Sequence, residues 1–237
     1  MGTVVSFLVD PGARSEDDAQ GLVEEACAEL HRIDEQFSPW RADSELSRRR
    51  RDPSIEPSDL MREVSELCEV ARDMSGGYFD PWALPDGFDP TGLVKGWAAE
   101  RALAVLAQGG VGAALVNAGG DVCVLPGQRY DVGVQHPNIP DALCAVVQVD
   151  TCVATSGVYA RGEHLINPLD GRVAAVSATV MGGRLAYADA LATALAVGGP
   201  KVLHRLEAMA GIEGFFITED GVLFKTRGMT LNAATPT

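Results

Sequence analysis

Asp189 and Thr193 stand four residues apart in AYADALATALAV. On a helix that spacing puts a carboxylate and a hydroxyl on one face, one turn from each other. Both are hard oxygen donors of the kind Mg²⁺ takes, with water, carbonyls and phosphate oxygens completing its octahedron. The same letters also describe a polar edge on an apolar helix. A second cluster lies in FDPTGLVKGWAAERA, where Asp89, Thr91, Gly92 and Lys95 share a seven-residue span. A helix predicted to open near Lys95 and Gly96 would offer backbone amides beside a lysine, which attract anionic oxygens and phosphates above all. A capped helix with a surface lysine reads the same way.

Two further segments carry polar groups. VNAGGDVCV sets Gly119 and Gly120 between apolar strands, which allows either a tight hairpin or close approach of the backbone to a flat ligand. It is not a dinucleotide fingerprint, because the GxGxxG spacing is missing and a strand follows. ATSGVYARGEHLINPLDGR brings Thr155, Ser156 and Gly157, then His164, Asn167, Asp170 and Arg172. A histidine there serves as acid, base or ligand orienter, or simply precedes a structural turn. Ser156, His164 and an aspartate have the residue types of a hydrolase triad, but nothing around them resembles a nucleophile elbow.

The elements that must hold these groups follow from periodicity. Ser15 and Asp18 resemble an N-cap pair, and Ala19, Leu22, Val23, Ala26, Leu30, Ile33 and Phe37 then recur at helical spacing. A second helix is predicted from Ser58 to the Gly76-Gly77 stop, and a third from near Lys95 to Gly109-Gly110. The stretch between the first two, rich in Pro, Ser and charge, is predicted as a loop exposing Trp40, with Arg48 to Arg51 as its solvated basic run. Strands are predicted at AALVNA, DVCVL, YDVGVQ, CAVVQV, CVATS, GFFIT and VLFK, and helices at AYADALATALAV and from Pro200 to Met209. Helices and strands fall in blocks, which points to one α+β domain over 1–237 with a mixed or antiparallel sheet.

Bulk properties exclude several classes. The formal net charge of -14 opposes nucleic acid and anionic membrane as partners. No apolar stretch approaches the ~20 residues of a membrane span. The opening MGTVVSFLVDPGARSEDD has no basic n-region, long apolar run or lipid-acceptor cysteine. A cytoplasmic location is therefore expected, the alternative being export by a route not visible here. Five cysteines without a C-x-x-C pair read as buried free thiols.

Taken in order, the segments resemble the ApbE family, the FAD:protein FMN transferases. MGTVVSF resembles the family's opening strand, FSPWRADSELSR its DSE-(L/I)-S loop, and SGGYFDP its G-x-(F/L)-D-(P/V) segment. FDPTGLVKGWAAERA is similar to its A-K-G-(Y/W) motif, VNAGGDV to N-x-GGD, ATSG with HLINPLDGR to ATSG with H-I-(I/L)-D-P-x-x-G, and ADALATAL to its ADALATAL helix. The resemblance implies a single ApbE-like (T-fold-like) domain. It implies that Met1, Trp40, Tyr78, Phe79, Asp80, Asp89, Lys95 and Ile166 line a FAD site, with the Gly119-Gly120 turn beside it. Mg²⁺ would be held by Asp189, Thr193 and the Gly92 carbonyl, and His164 matches the histidine implicated in catalysis, with Asp89 as the alternative base. The implied reaction moves FMN from FAD to a threonine hydroxyl of an acceptor flavoprotein and releases AMP; the alternatives are a FAD pyrophosphatase and a non-catalytic flavin-binding protein. Two departures stand out: the Asp80–Asp89 linker is short, and Asn167 stands where aspartate is commoner. The tail residues NAAT, leading to Thr235, faintly resemble an acceptor, which would permit self-flavinylation.

Overall fold

The computed structural model describes residues 2–139, 141–157, 169 and 173–232. Met1, His164, Ile166, Asn167, Asp170, Arg172 and Thr235 lie outside them.

Strand β1 (Val5–Asp10) leads into helix α1 (Glu16–Phe37). The α1 start is set by Ser15, whose hydroxyl accepts the Asp18 N–H at 3.1 Å, and its buried face is Ala19, Ala26, Leu30, Ile33 and Phe37. The segment predicted as a loop contains a short helix, α2 (Glu45–Arg51), capped by Ser44. The Glu45 carboxylate accepts from Gln36 on α1 and from the Ser58 N–H, so tertiary contacts pin a helix that local composition disguises. The Arg48–Arg51 run is thus helical. Arg50 donates to the Phe88 carbonyl at 2.8 Å, so the run is not wholly solvated. Trp40 is exposed as predicted.

Helix α3 (Asp59–Ser75) runs from its Ser58 cap to Gly76, whose φ of 72° only glycine adopts cheaply. Helix α4 (Thr91–Gly109) begins one turn earlier than predicted. Pro90 and Gly92 suggest a loop by composition. Yet proline without an N–H costs nothing at a helix start, and the Asp89 carboxylate accepts the Thr91 N–H at 3.0 Å.

Strands β2 (Ala113–Ala118), β3 (Asp121–Val124), β4 (Tyr130–Gln135), β5 (Leu143–Val149), β6 (Cys152–Gly157) and β7 (Ser177–Met181) follow. Helices α5 (Leu185–Gly198) and α6 (Pro200–Leu206) and strands β8 (Glu213–Ile217) and β9 (Leu223–Lys225) close the fold. Strand β7 is the one the sequence reading passes over. Seven strands form one sheet in the order β1-β2-β3-β6-β7-β8-β9, and β4 and β5 form a separate hairpin. Among the described residues every strand pairing is antiparallel, in favour of the antiparallel alternative.

The sheet buries both faces. Alternate residues Val116, Cys123, Ala154, Val180 and Phe216 pack under the helices, while Val122, Val153, Phe215 and Ile217 meet Val134, Val147 and Val149 of the β4–β5 hairpin. Helix α5 is buried nearly all round, which its alanine-rich sequence permits. No helix among the described residues is long and apolar enough to cross a membrane.

Candidate functional site

The site forms where α4 crosses α5. A Cβ on Gly96 would lie 2.5 Å from the Leu185 carbonyl oxygen and 3.1 Å from the Asp189 Cβ, so only glycine permits this approach. One turn earlier, a Cβ on Gly92 would lie 3.4 Å from the Thr193 hydroxyl oxygen. The i,i+4 pair of glycines on one helix therefore faces the i,i+4 pair Asp189 and Thr193 on the other.

Charge is concentrated at this crossing. Asp189 is 3% exposed and its Oδ2 accepts the Gly96 N–H at 3.1 Å. Lys95, 9% exposed, places Nζ 3.9 Å from the Asp189 Oδ1 and in direct contact with the Asp121 Oδ2. Asp121 is fully buried, and its Oδ1 accepts the Thr155 N–H at 3.1 Å. Among the described residues, two carboxylates thus flank one ammonium. The Ser156 hydroxyl lies 3.0 Å from that of Thr193, which joins β6 to the same cluster.

The crossing brings Gly92, Lys95, Asp189 and Thr193 together. Lys95 sits between carboxylates one turn inside α4, not at the helix start where the sequence places it. Gly119 and Gly120 form the β2–β3 hairpin turn at φ 62° and 99°, and the turn delivers Asp121 directly into the cluster. Asp121 is the residue that sequence reasoning missed. The available signal was an aspartate opening an apolar strand, straight after two glycines.

Most of the other predicted residues among those described have partners of their own. Asp89 caps α4 through Thr91, and its Oδ2 lies 3.4 Å from Arg50. Asp80 pairs with Arg72 at 3.1 Å and accepts the Trp82 N–H at 3.0 Å. Phe79 is 5% exposed and packs beneath Gly92, so it belongs to the core. Tyr78 is half-buried against Gly198. Trp40 is 82% exposed, remote from any aromatic stacking partner among the described residues. In the short linker Trp82 stacks on Phe88 with ring centroids 5.2 Å apart.

A hollow lies at the other end of β3 and β6. It is a cavity of about 690 Å³, lined in part by Glu100, Leu103, Cys123, Cys152, Arg184 and Leu185. Burial pushes the Cys152 thiol up to about 12 and the Cys123 thiol higher still. Such thiols stay protonated at neutral pH and are poor nucleophiles. Arg184 is paired with Glu100 at 2.9 Å.

The ApbE family profile matches residues 1–85 and 87–216, nearly the whole chain. The chain belongs to the ApbE family. This ApbE chain is 31% identical over 193 residues to the "FAD:protein FMN transferase" of Escherichia coli (strain K12), covering 73% of this chain and 55% of that protein. It is 35% identical over 150 residues to the protein of the same name from Rhodobacter capsulatus, covering 57% of this chain and 29% of that protein. It thus spans about half of one curated relative and under a third of the other. The ApbE protein from Thermotoga maritima has the same fold, with a TM-score of 0.84 at 20% identity over 95% of this chain and 94% of that one.

Proposed function

We propose that this chain is a Mg²⁺-dependent FAD:protein FMN transferase, moving FMN from FAD to a threonine hydroxyl of an acceptor protein and releasing AMP. Family membership and the names of the curated relatives support the reaction class. The observation that carries the reading is the α4–α5 crossing, with Asp189 and Thr193 facing Gly92 and Gly96 beside a buried lysine.

The donor set there fits Mg²⁺: one carboxylate from Asp189, one hydroxyl from Thr193, and the Gly92 carbonyl. In a regular helix the Gly96 N–H answers that carbonyl. Here it also donates to Asp189, which leaves Gly92 with acceptor capacity to spare. Among the described residues no group of three or more His, Cys, Asp and Glu is placed to hold a metal. One carboxylate with neutral oxygens suits an ion that shares its shell with substrate phosphates. Bound there, Mg²⁺ supplies positive charge that offsets the diphosphate and stabilises the departing phosphate of AMP.

The chain's own residues supply position and proton handling. The first turn of α4 turns its backbone amides toward the diphosphate, and Lys95, held between Asp121 and Asp189, helps position the anionic ligand. The acceptor's threonine oxygen attacks the phosphorus on the FMN side, the bond from that phosphorus to the oxygen bridging to AMP breaks, and AMP leaves in line. The threonine proton passes to a base, for which His164 is the candidate. Asp89 is the weaker candidate because both its oxygens are engaged, one by Thr91 and one by Arg50. The product is a threonyl phosphodiester of FMN.

Incubation with FAD, Mg²⁺ and a threonine-bearing acceptor peptide, read by mass spectrometry with AMP followed in parallel, tests the reading. An FMN-sized mass gain on the peptide with one AMP per transfer is expected. AMP without peptide modification would make the chain a FAD pyrophosphatase, and retained FAD without AMP a flavin-binding protein.

A further inference from the structure

We propose that Asp121 is a positioning residue that acts as the internal counter-ion of Lys95, keeping the Asp189 carboxylate available to a divalent cation. This rests on the reading of Asp189 and Thr193 as cation ligands. Lys95 stands 3.9 Å from the Asp189 Oδ1, close enough that a simple ion pair between them would cancel the anionic ligand. A cation seated on Asp189 would also meet a buried ammonium a few ångströms away. Neither arrangement is tolerable unless a second negative charge holds Lys95.

Asp121 supplies that charge, and the fold fixes it in place. It is fully buried and touches the Lys95 Nζ more closely than Asp189 does. Its other oxygen is tied to the Thr155 N–H on β6, so the carboxylate cannot rotate away. Its backbone follows the Gly119-Gly120 turn, which sets where β3 enters the sheet. With Lys95 held by Asp121, Asp189, beside Thr193 and Gly92, is not required as its counter-ion. Asp121 thus acts on the ion through Lys95, without being one of its ligands.

The test is Mn²⁺ binding to the full chain, followed by electron paramagnetic resonance without FAD. Wild type should bind one Mn²⁺, and Asp189→Ala should not; failure of either result removes the cation reading itself. With those in place, Asp121→Asn should weaken Mn²⁺ by at least about tenfold, because Lys95 turns to Asp189. Adding Lys95→Met to Asp121→Asn should restore binding to within about threefold of wild type, since the competing ammonium is gone. A merely structural role for Asp121 predicts no such rescue. Wild-type affinity in folded Asp121→Asn, or a double variant still about tenfold weaker than wild type, would overturn the counter-ion role while leaving the metal ligands standing. Should the single variant fail to fold, the double variant, which replaces an ion pair by a neutral one, decides by the same limits.

Discussion

Strands β3 and β6 are polar at one end and thiol-bearing at the other, on the same face of the sheet. At one end Asp121 and Ser156 meet Lys95, Asp189 and Thr193. At the other, Cys123 and Cys152 lie directly opposite each other in the strand register, under Glu100 and Leu185. Both ends bury titratable groups. At the thiol end burial, helped by the nearby Glu100 carboxylate, pushes the thiols up and keeps them protonated. At the aspartate end two carboxylates and an ammonium are buried within reach of one another. A buried charge is costly unless partnered. Keeping three of them in one cluster is the mark of a site that handles charge, and an open cavity is not.

The comparison breaks first at Asp189. Asp189→Ala should lower AMP release by at least about a hundredfold, because a hard anionic ligand to Mg²⁺ is lost, and Asp189→Asn should be severely impaired because shape without charge does not suffice. Circular dichroism provides the folding control. Equivalent loss on Cys152→Ala would place the chemistry at the wrong end.

The helix crossing gives the next effect. Gly96→Ala should destabilise by about 1–3 kcal/mol in urea unfolding, since its Cβ would meet the Leu185 carbonyl at 2.5 Å. Helix propensity alone favours alanine by about 1 kcal/mol, so a net loss isolates the close approach. Gly21→Ala on α1, where a Cβ meets nothing within 4 Å, should gain about 0.5–1 kcal/mol. The opposite signs of these two changes are the expected result.

Alkaline pH probes the thiols. Burial raises Cys68, Cys123 and Cys152 above the ordinary thiol value of 9.0, Cys152 to about 12. Below 9.0 they are protonated in both states and stability does not depend on them. Above it the unfolded chain releases protons that the folded chain keeps, so stability falls as pH rises, by about 1.4 kcal/mol per pH unit for each thiol. Cys123→Ala with Cys152→Ala should flatten that slope in urea titrations between pH 9 and 11, roughly the window in which the thiols differ between states. A slope unchanged from wild type would remove burial as its cause.

The smallest effect belongs to Arg50, which braces Phe88 and Asp89 at the entry to α4. Arg50→Gln should raise the FAD KM by about threefold with kcat little changed, as expected of a residue that steadies a binding wall.

Much of this was legible in the sequence. Ser15, Ser58 and the glycine stops announced α1, α3 and the end of α4, because caps and left-handed turns are local requirements. The i,i+4 spacing of Asp189 and Thr193 declared a shared face as soon as a helix was assumed. Helix α2 was hidden, since its stability comes from Glu45 bonding to Gln36 and Ser58 at a distance in the chain. Strand β7 was hidden too, because a short buried segment flanked on both sides by strands shows no alternation of its own.

Residue types and their local spacing therefore established which groups were available and most of the elements carrying them. The meeting of Gly92 and Gly96 with Asp189 and Thr193 is a property of the packed helices alone, since the segments lie far apart in the chain and a glycine's missing side chain has meaning only against a neighbour. Lys95 shows the division most clearly. In the sequence it is a lysine near a helix start. Only the hairpin turn that brings Asp121 beneath it, and the crossing that brings Asp189 alongside, make it a buried cation between two carboxylates, because Coulomb interaction depends on distance in space and on burial, neither of which the order of residues records.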